Sequence, residues 1–169
     1  MSATGETRPE ALKALSQQLC GDVDIAIDAH GQWFHEGSPI GRIGLVKLFA
    51  SVLRREEDGD YWLVTPVERA RIRVADAPFT AVAVWRDDAG VVWFRTNLDD
   101  ETPLDAAHPL RMAEGAVAGE PRPYVHVRRG LEARLLRPVF YALVEMAEER
   151  DGALVVASGG AEFPLGAIE

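Results

Sequence analysis

The residues best equipped for chemistry gather in three short phrases. In "WFHEGSPIGR", His35 and Glu36 stand side by side, Ser38 follows a glycine, and Arg42 lies four residues further on. An imidazole titrating near neutral pH can act as a general base or donate to an anion. Neighbours on a strand point to opposite faces, so His35 and Glu36 can work together only if the strand ends between them, which Gly37-Ser38 would allow. Ser38 before an apolar-periodic run marks a helix mouth, where backbone amides and Arg42 could hold phosphate or carboxylate; the same serine serves equally as a plain N-cap. No Gly-x-Ser-x-Gly surrounds it, so a nucleophile elbow is not supported.

The second phrase, "VRRGLEAR", sets Arg128, Arg129 and Arg134 about a glycine turn. The third, "FRTN", offers the fork of Arg95, the hydroxyl of Thr96 and the amide of Asn97, a set suited to a sugar phosphate or a carboxylate. Tyr61, Trp62, Trp85, Trp93 and Tyr124 are strand aromatics that pack in a core by default, though one, such as Tyr124, could form a wall against a planar ligand. A metal site would draw on His30, His35, His108 and His126, but no His-x-x-x-His or His-x-His spacing occurs, and no metal is expected. The runs "REEDGD" and "LDDET" lack the alternating acids and closing glutamate of a calcium loop.

These residues need a scaffold. "DIAID" and "WFHE" read as a hairpin across "AHGQ". Ser38-Pro39 then starts a helix whose apolar positions Ile43, Val46, Leu48, Phe49, Val52 and Leu53 run to the charged stop "RREEDGD". "YWLVT" and "VERARIRV" are strands, and "FTAVAVWR" and "VVWFRTN" form the clearest hairpin, across "DDAG". The stretch "LDDETPLDAAHPLRMAEGAVAGEPRP" reads as a long irregular connection. After it come "YVHVRRGLEARLL", a helix "RPVFYALVEMAEER" and a closing strand "ALVVAS".

Two segments share one order: aromatic strand, histidine, turn, apolar helix, acidic stop, Asp-Gly turn, apolar strand. His35 falls opposite His126 and Phe49 opposite Phe140, at an offset of roughly ninety residues, which suits a duplicated unit. The expected fold is α+β, two similar halves of mainly antiparallel sheet with one long helix each. The expected parts are an N-terminal helix or arm over 1–23, an α+β domain over 24–78 and a second over 79–169. About a pseudo-twofold axis, Arg42, Arg128 and Arg134 would converge on a cleft between halves.

Composition sets the outer limits. The chain of 169 residues is long enough for a sizeable core. One cysteine, Cys20, rules out an internal disulfide framework and points to a reducing, cytoplasmic setting; no secretory leader or membrane span is expected. A net charge of −9 disfavours nucleic-acid polymers and anionic membranes as partners of the whole surface. Of 18 basic residues only Lys13 and Lys47 are lysine, and arginine is the better grip on carboxylate or phosphate.

"WFHEGSPIGR", "LVKLF", "VLRREEDGDYWLVTPVE", "VADAPF", "FRTN", "YVHVRRGLEARL" and "RPVFY" together resemble the uncharacterised proteobacterial family catalogued as domain of unknown function 1285, over most of the chain. The resemblance implies a two-domain fold with internal duplication, the second domain loosely pleckstrin-homology-like. It also implies a ligand site, nucleotide-like in character, at the domain interface, and a signalling role. It brings no catalytic residue and no cofactor.

The leading expectation is therefore a cytoplasmic regulatory or binding protein that captures a small anionic, nucleotide-like ligand. Arg42, Arg95, Arg128 and Arg134 would supply charge, His35 and Asn97 orientation, and Tyr124 a wall. Two other classes fit the same residues: a small hydrolase or transferase with His35 as general base, and a protein-interaction adaptor, which would present an exposed apolar patch or sheet edge to a protein partner.

Overall fold

A computed structural model describes residues 23–114 and 121–167. The expected N-terminal helix, and Cys20 with it, lie outside the described residues. The chain divides into two compact units, Met1–Asp76 and Ala77–Glu169. Among the described residues no helix is long and apolar enough to cross a membrane.

In the N-terminal unit, β1 (Ile25–Ile27), β2 (Trp33–His35) and β3 (Ser38–Pro39) form an antiparallel meander. Asp28 makes the first turn, its Oδ1 accepting the amides of His30 and Gln32 at 2.9 Å each. Helix α1 (Ile43–Ser51) follows, then a second meander of β4 (Leu53–Arg55), β5 (Tyr61–Val64) and β6 (Arg69–Val74). The first and last strands pair in parallel, giving one six-stranded sheet in the order β3-β2-β1-β6-β5-β4. Phe49 of α1 stacks on Trp33, centroids 6.0 Å apart, over a core of Ile25, Ile27, Leu53, Leu63 and Ile72.

Two expectations fail here for local reasons. Ser38 does not start the helix: it pairs with His35 across the two-residue turn Glu36-Gly37, whose φ values of 50° and 82° are those of a tight hairpin turn. Arg42 takes the N-cap position instead, without a side-chain cap bond. Nor does the helix run through Val52 and Leu53. Leu53 is fully buried opposite Leu63, so strand pairing outweighs a helical spacing continued by coincidence. "One long helix" per half is thus a helix of nine residues in each unit.

The C-terminal unit builds its main sheet the same way. One meander is β7 (Phe79–Arg86), β8 (Val92–Thr96) and β9 (Glu101–Pro103); the other is β10 (Leu110–Glu114), β11 (Pro121–Arg128) and β12 (Leu131–Leu135). They join through the parallel pair β12–β7, in the order β10-β11-β12-β7-β8-β9. The segment expected as an irregular connection therefore contributes β9 and β10. Thr102 and Leu104 are buried within it, and these short edge strands carry the Pro and acidic residues that made them read as loop. Helix α2 (Arg137–Glu145) packs against β7 and against β14 (Ala153–Ser158), the centre of a three-stranded sheet with β13 (Glu148–Arg150) and β15 (Ala161–Ala167). "ALVVAS" is thus not the closing strand, since β15 follows it through the Gly159-Gly160 turn.

Hairpin, helix, hairpin recurs as β2-β3-α1-β4-β5 and β11-β12-α2-β13-β14. Its first turns match in backbone: Glu36-Gly37 and Arg129-Gly130 both have two successive positive φ values. The second hairpins join different sheets, β4–β5 the six-stranded one and β13–β14 a separate one.

Candidate functional site

The expected site residues do different work. His35 ends β2, and because Glu36 turns into positive φ the two side chains meet on one side, His35 Nε2 standing 3.9 Å from Glu36 Oε1. His35 and Ser38 edge a cavity of about 420 Å³ in the N-terminal unit that is otherwise apolar, with Ile25, Ile40, Leu45 and Phe49 in its lining. Arg42 is exposed at the start of α1.

In the C-terminal unit, Arg95 pairs with Glu101 at 3.1 Å and lies over the Trp85 ring. Asn97, just past the end of β8, is tied to β7: its Oδ1 accepts the Thr80 amide at 3.1 Å, and its backbone amide donates to the Thr80 carbonyl at 2.9 Å. Arg128 pairs with Asp100 at 3.1 Å and covers the Phe79 ring. Tyr124 is buried beneath Arg111, which sits 4.4 Å from its ring centroid and is itself held by both carboxylate oxygens of Glu132. Arg129, in the tight turn, is exposed.

Arg134 lines a cavity with two further arginines. About 360 Å³ in volume, it opens where β11 begins, β12 ends and α2 starts, between Arg122, Arg134 and Arg137. Strand register explains the first two. Tyr124 stands opposite Arg134, so Arg122, two residues along β11, is the diagonal cross-strand neighbour of Arg134 on the same face. Pro121 and Pro123 stiffen the strand on either side of Arg122. Arg137 is the first residue of α2, after an extended Leu136 that makes no side-chain cap bond. Phe140 and Tyr141, three and four residues on, share its helix face and add two rings to the wall. Tyr141 is 59% exposed, while Val139 and Leu143 turn into the core. None of the described lining residues is acidic.

Sequence reasoning passed over Arg122 and Arg137. The signal was an Arg-Pro dipeptide at the start of a strand and again at the start of a helix, where proline fixes the backbone beside a guanidinium.

Two carboxylates outside this cavity have perturbed acidity. Asp87 is held below the usual carboxylate value chiefly by the Trp93 indole N–H, 2.8 Å from Oδ2, with the Val91 and Ala89 amides on Oδ1. For Asp105, burial acts upward, but the His108 ring, 2.8 Å away, and the His108 and Ala107 amides outweigh it, and the net shift is downward. Among the described residues no cluster of three or more His, Cys, Asp or Glu is placed to hold a metal ion.

The chain is similar to two family models, the N-terminal domain of unknown function DUF1285 over residues 13–77 and the DUF1285 C-terminal domain over residues 78–165. Two solved structures are similar. A DUF1285 family protein from Silicibacter pomeroyi DSS-3 shares 45% identity over 88% of this chain and 82% of its own, with a TM-score of 0.82. One from Shewanella baltica OS155 shares 29% identity over 72% of this chain and 90% of its own, with a TM-score of 0.59. No curated protein matches the chain.

Proposed function

We propose that this chain, which belongs to the DUF1285 family, is a binding protein for a small anionic ligand, held in the arginine-lined cavity of its C-terminal unit. The observation that carries the reading is the meeting of Arg122, Arg134 and Arg137 from three elements on one cavity with no acid among its described lining residues. Guanidinium forks match carboxylate and phosphate oxygens two bonds at a time. A volume of about 360 Å³ falls within the usual range for small-molecule sites, roughly 300–1,000 Å³.

A nucleotide-like ligand and a cytoplasmic signalling role are the finer parts of the proposal. The exposed ring of Tyr141 supports the first by offering a base a stacking face. The same proposal takes the recurring hairpin-helix-hairpin order as a duplication and the second half as loosely pleckstrin-homology-like.

The test is calorimetry and thermal shift with nucleotides, sugar phosphates and carboxylates. A ligand at a hundred times its Kd adds about 2.7 kcal/mol of stability. Arg122→Ala, Arg134→Ala and Arg137→Ala should each weaken a hit by about 1.5–3 kcal/mol, the usual worth of a charge-assisted bond. Arg42→Ala should leave it unchanged. A hit indifferent to all three cavity variants would refute this placement.

A second reading, a hydrolase or transferase with His35 as base, draws support from His35 and Ser38 lining one cavity beside Glu36. It requires turnover that is lost in His35→Ala.

A further inference from the structure

We propose that the turn joining β11 to β12 is a pH-sensitive latch, held closed by the neutral ring of His126 and released when that ring takes up a proton. The latch needs no ligand and uses none of the residues that line the arginine cavity.

The turn is Arg129-Gly130, with φ values of 51° and 77°. Arg129 is thus a non-glycine residue in the left-handed region, a conformation that its surroundings must hold. The strand leading into the turn is also irregular, since its pairing with β12 shifts register between His126 and Arg128. The side chain that reaches into the turn is that of His126, whose Nε2 accepts the Gly130 amide at 3.2 Å. A ring nitrogen accepts only through a lone pair, so this bond assigns the imidazole a single hydrogen, on Nδ1. An imidazolium donates from both nitrogens and cannot make the bond. Protonation and the closed turn are therefore alternatives at one atom, on the side chain type whose charge changes between about pH 5 and pH 8.

The groups around the ring are already engaged. His126 Nδ1 is buried and, among the described residues, has no hydrogen-bond partner. The His108 ring lies 6.3 Å away, centroid to centroid, on the segment before β10, where its Nδ1 is bonded to Asp105. Glu132 stands directly opposite on β12, with both oxygens taken by Arg111 of β10. Tyr124 and Arg134, paired with each other, are the next residues of β11 and β12 on that face. Arg128, two residues along β11, pairs with Asp100. Each of these three carboxylates already has a partner, so the interaction that protonation of His126 removes is its own bond to Gly130. Through Arg128 and Asp100 the end of β11 is tied to the turn between β8 and β9, and release of the latch reaches the other meander by that route.

The test follows the full chain by NMR from pH 8 to pH 5. Protonation of His126 is read from its own Cε1 hydrogen, and the latch from the hydrogen-exchange protection of the Gly130 amide. That protection should fall about fivefold, the worth of one ordinary hydrogen bond, with the midpoint of the His126 titration. Gly152 is the internal control: it sits in a turn of the same backbone, with φ values of 52° and 79° at Asp151-Gly152, in a different sheet, and its protection should not follow that titration. His126→Gln sets a carboxamide oxygen, which does not titrate, near the position of Nε2 and should keep Gly130 protected across the range. His126→Ala should leave it unprotected throughout. His108→Gln removes the neighbouring imidazole and should leave the response in place. Gly130 protection that stays constant while His126 titrates, an equal fall in His126→Gln, a loss at Gly152 in step with Gly130, or a His126 ring that stays neutral down to pH 5 would each overturn the latch.

Discussion

Ser158→Ala offers the sharpest check on how the C-terminal unit is held together. Ser158 ends β14, is 3% exposed, and bridges two chain segments remote from it in sequence. Its Oγ donates to the Leu104 carbonyl at 2.6 Å and accepts the Val92 amide at 2.8 Å. Leu104 and Val92 are themselves fully buried, and the Leu104 amide donates to the Val92 carbonyl at 2.7 Å, so water does not reach the groups that the substitution abandons. Each unsatisfied buried polar group costs about 1–3 kcal/mol. The loss of both partners should therefore destabilise the protein by about 2–4 kcal/mol, or about 4–16 °C in Tm for a chain of this size. Equilibrium urea unfolding of wild type, Ser158→Ala and Ser38→Ala measures it. Ser38 is the control: exposed in a hairpin and not a helix cap, it should move stability by less than about 0.5 kcal/mol, whereas a true N-cap would cost about 1. A Ser158→Ala cost no larger than that of Ser38→Ala would refute the bridging role.

Gly159→Ala should be comparably harmful. The new Cβ would lie 2.8 Å from Asp105 Cβ and 3.1 Å from the Leu104 carbonyl, at a φ of +59° that disfavours a side chain, for a loss of about 2–3 kcal/mol by the same assay. Arg128→Ala, which gives up the Asp100 pair and the cover over Phe79, should cost about 1 kcal/mol of stability and leave anion affinity intact. Asp87→Asn should alter the acid limb of stability. A carboxylate whose folded pKa is depressed stabilises the fold above its unfolded pKa, about 4, and that contribution disappears as pH falls through the lower folded value. The gap between wild type and Asp87→Asn, measured by urea midpoints from pH 7 to pH 2.5, should therefore close below about pH 4.

Turn chemistry was the most legible level of the fold. "DDAG" joins β7 to β8 with Asp87 Oδ1 accepting the amides of Ala89 and Val91, and "RRG" turns β11 into β12. Short elements were not legible where composition and pairing conflict. β9, β10 and β15 contain Pro103, Pro164 or acidic residues, and only a neighbouring strand makes them strands. The α1 boundary failed because Val52 and Leu53 fit both a helix stripe and a buried strand, and tertiary pairing decided between them. Of the three arginines that line the C-terminal cavity, the sequence singled out Arg134 and passed over Arg122 and Arg137. The pairing of Arg95 with Glu101 and of Arg128 with Asp100 was not legible, because those acids arrive through the folded chain.

The division of labour among the arginines follows from what register sets beside each one. Arg95 stands directly opposite Glu101. Arg71 stands opposite Trp62, and Asp60, two residues before Trp62, takes it up. Arg111 stands opposite Tyr124, and Glu132 reaches it from β12. Arg122 is placed otherwise. Its direct partner is Ala113, and its diagonal neighbours on that face are Arg111, already committed to Glu132, and Arg134. Arg134 in turn stands between Tyr124 and Thr80, and Arg137 has left the sheet for the first turn of α2. Register thus sets alanine directly opposite Arg122, and tyrosine and threonine directly opposite Arg134, where Arg95 faces Glu101.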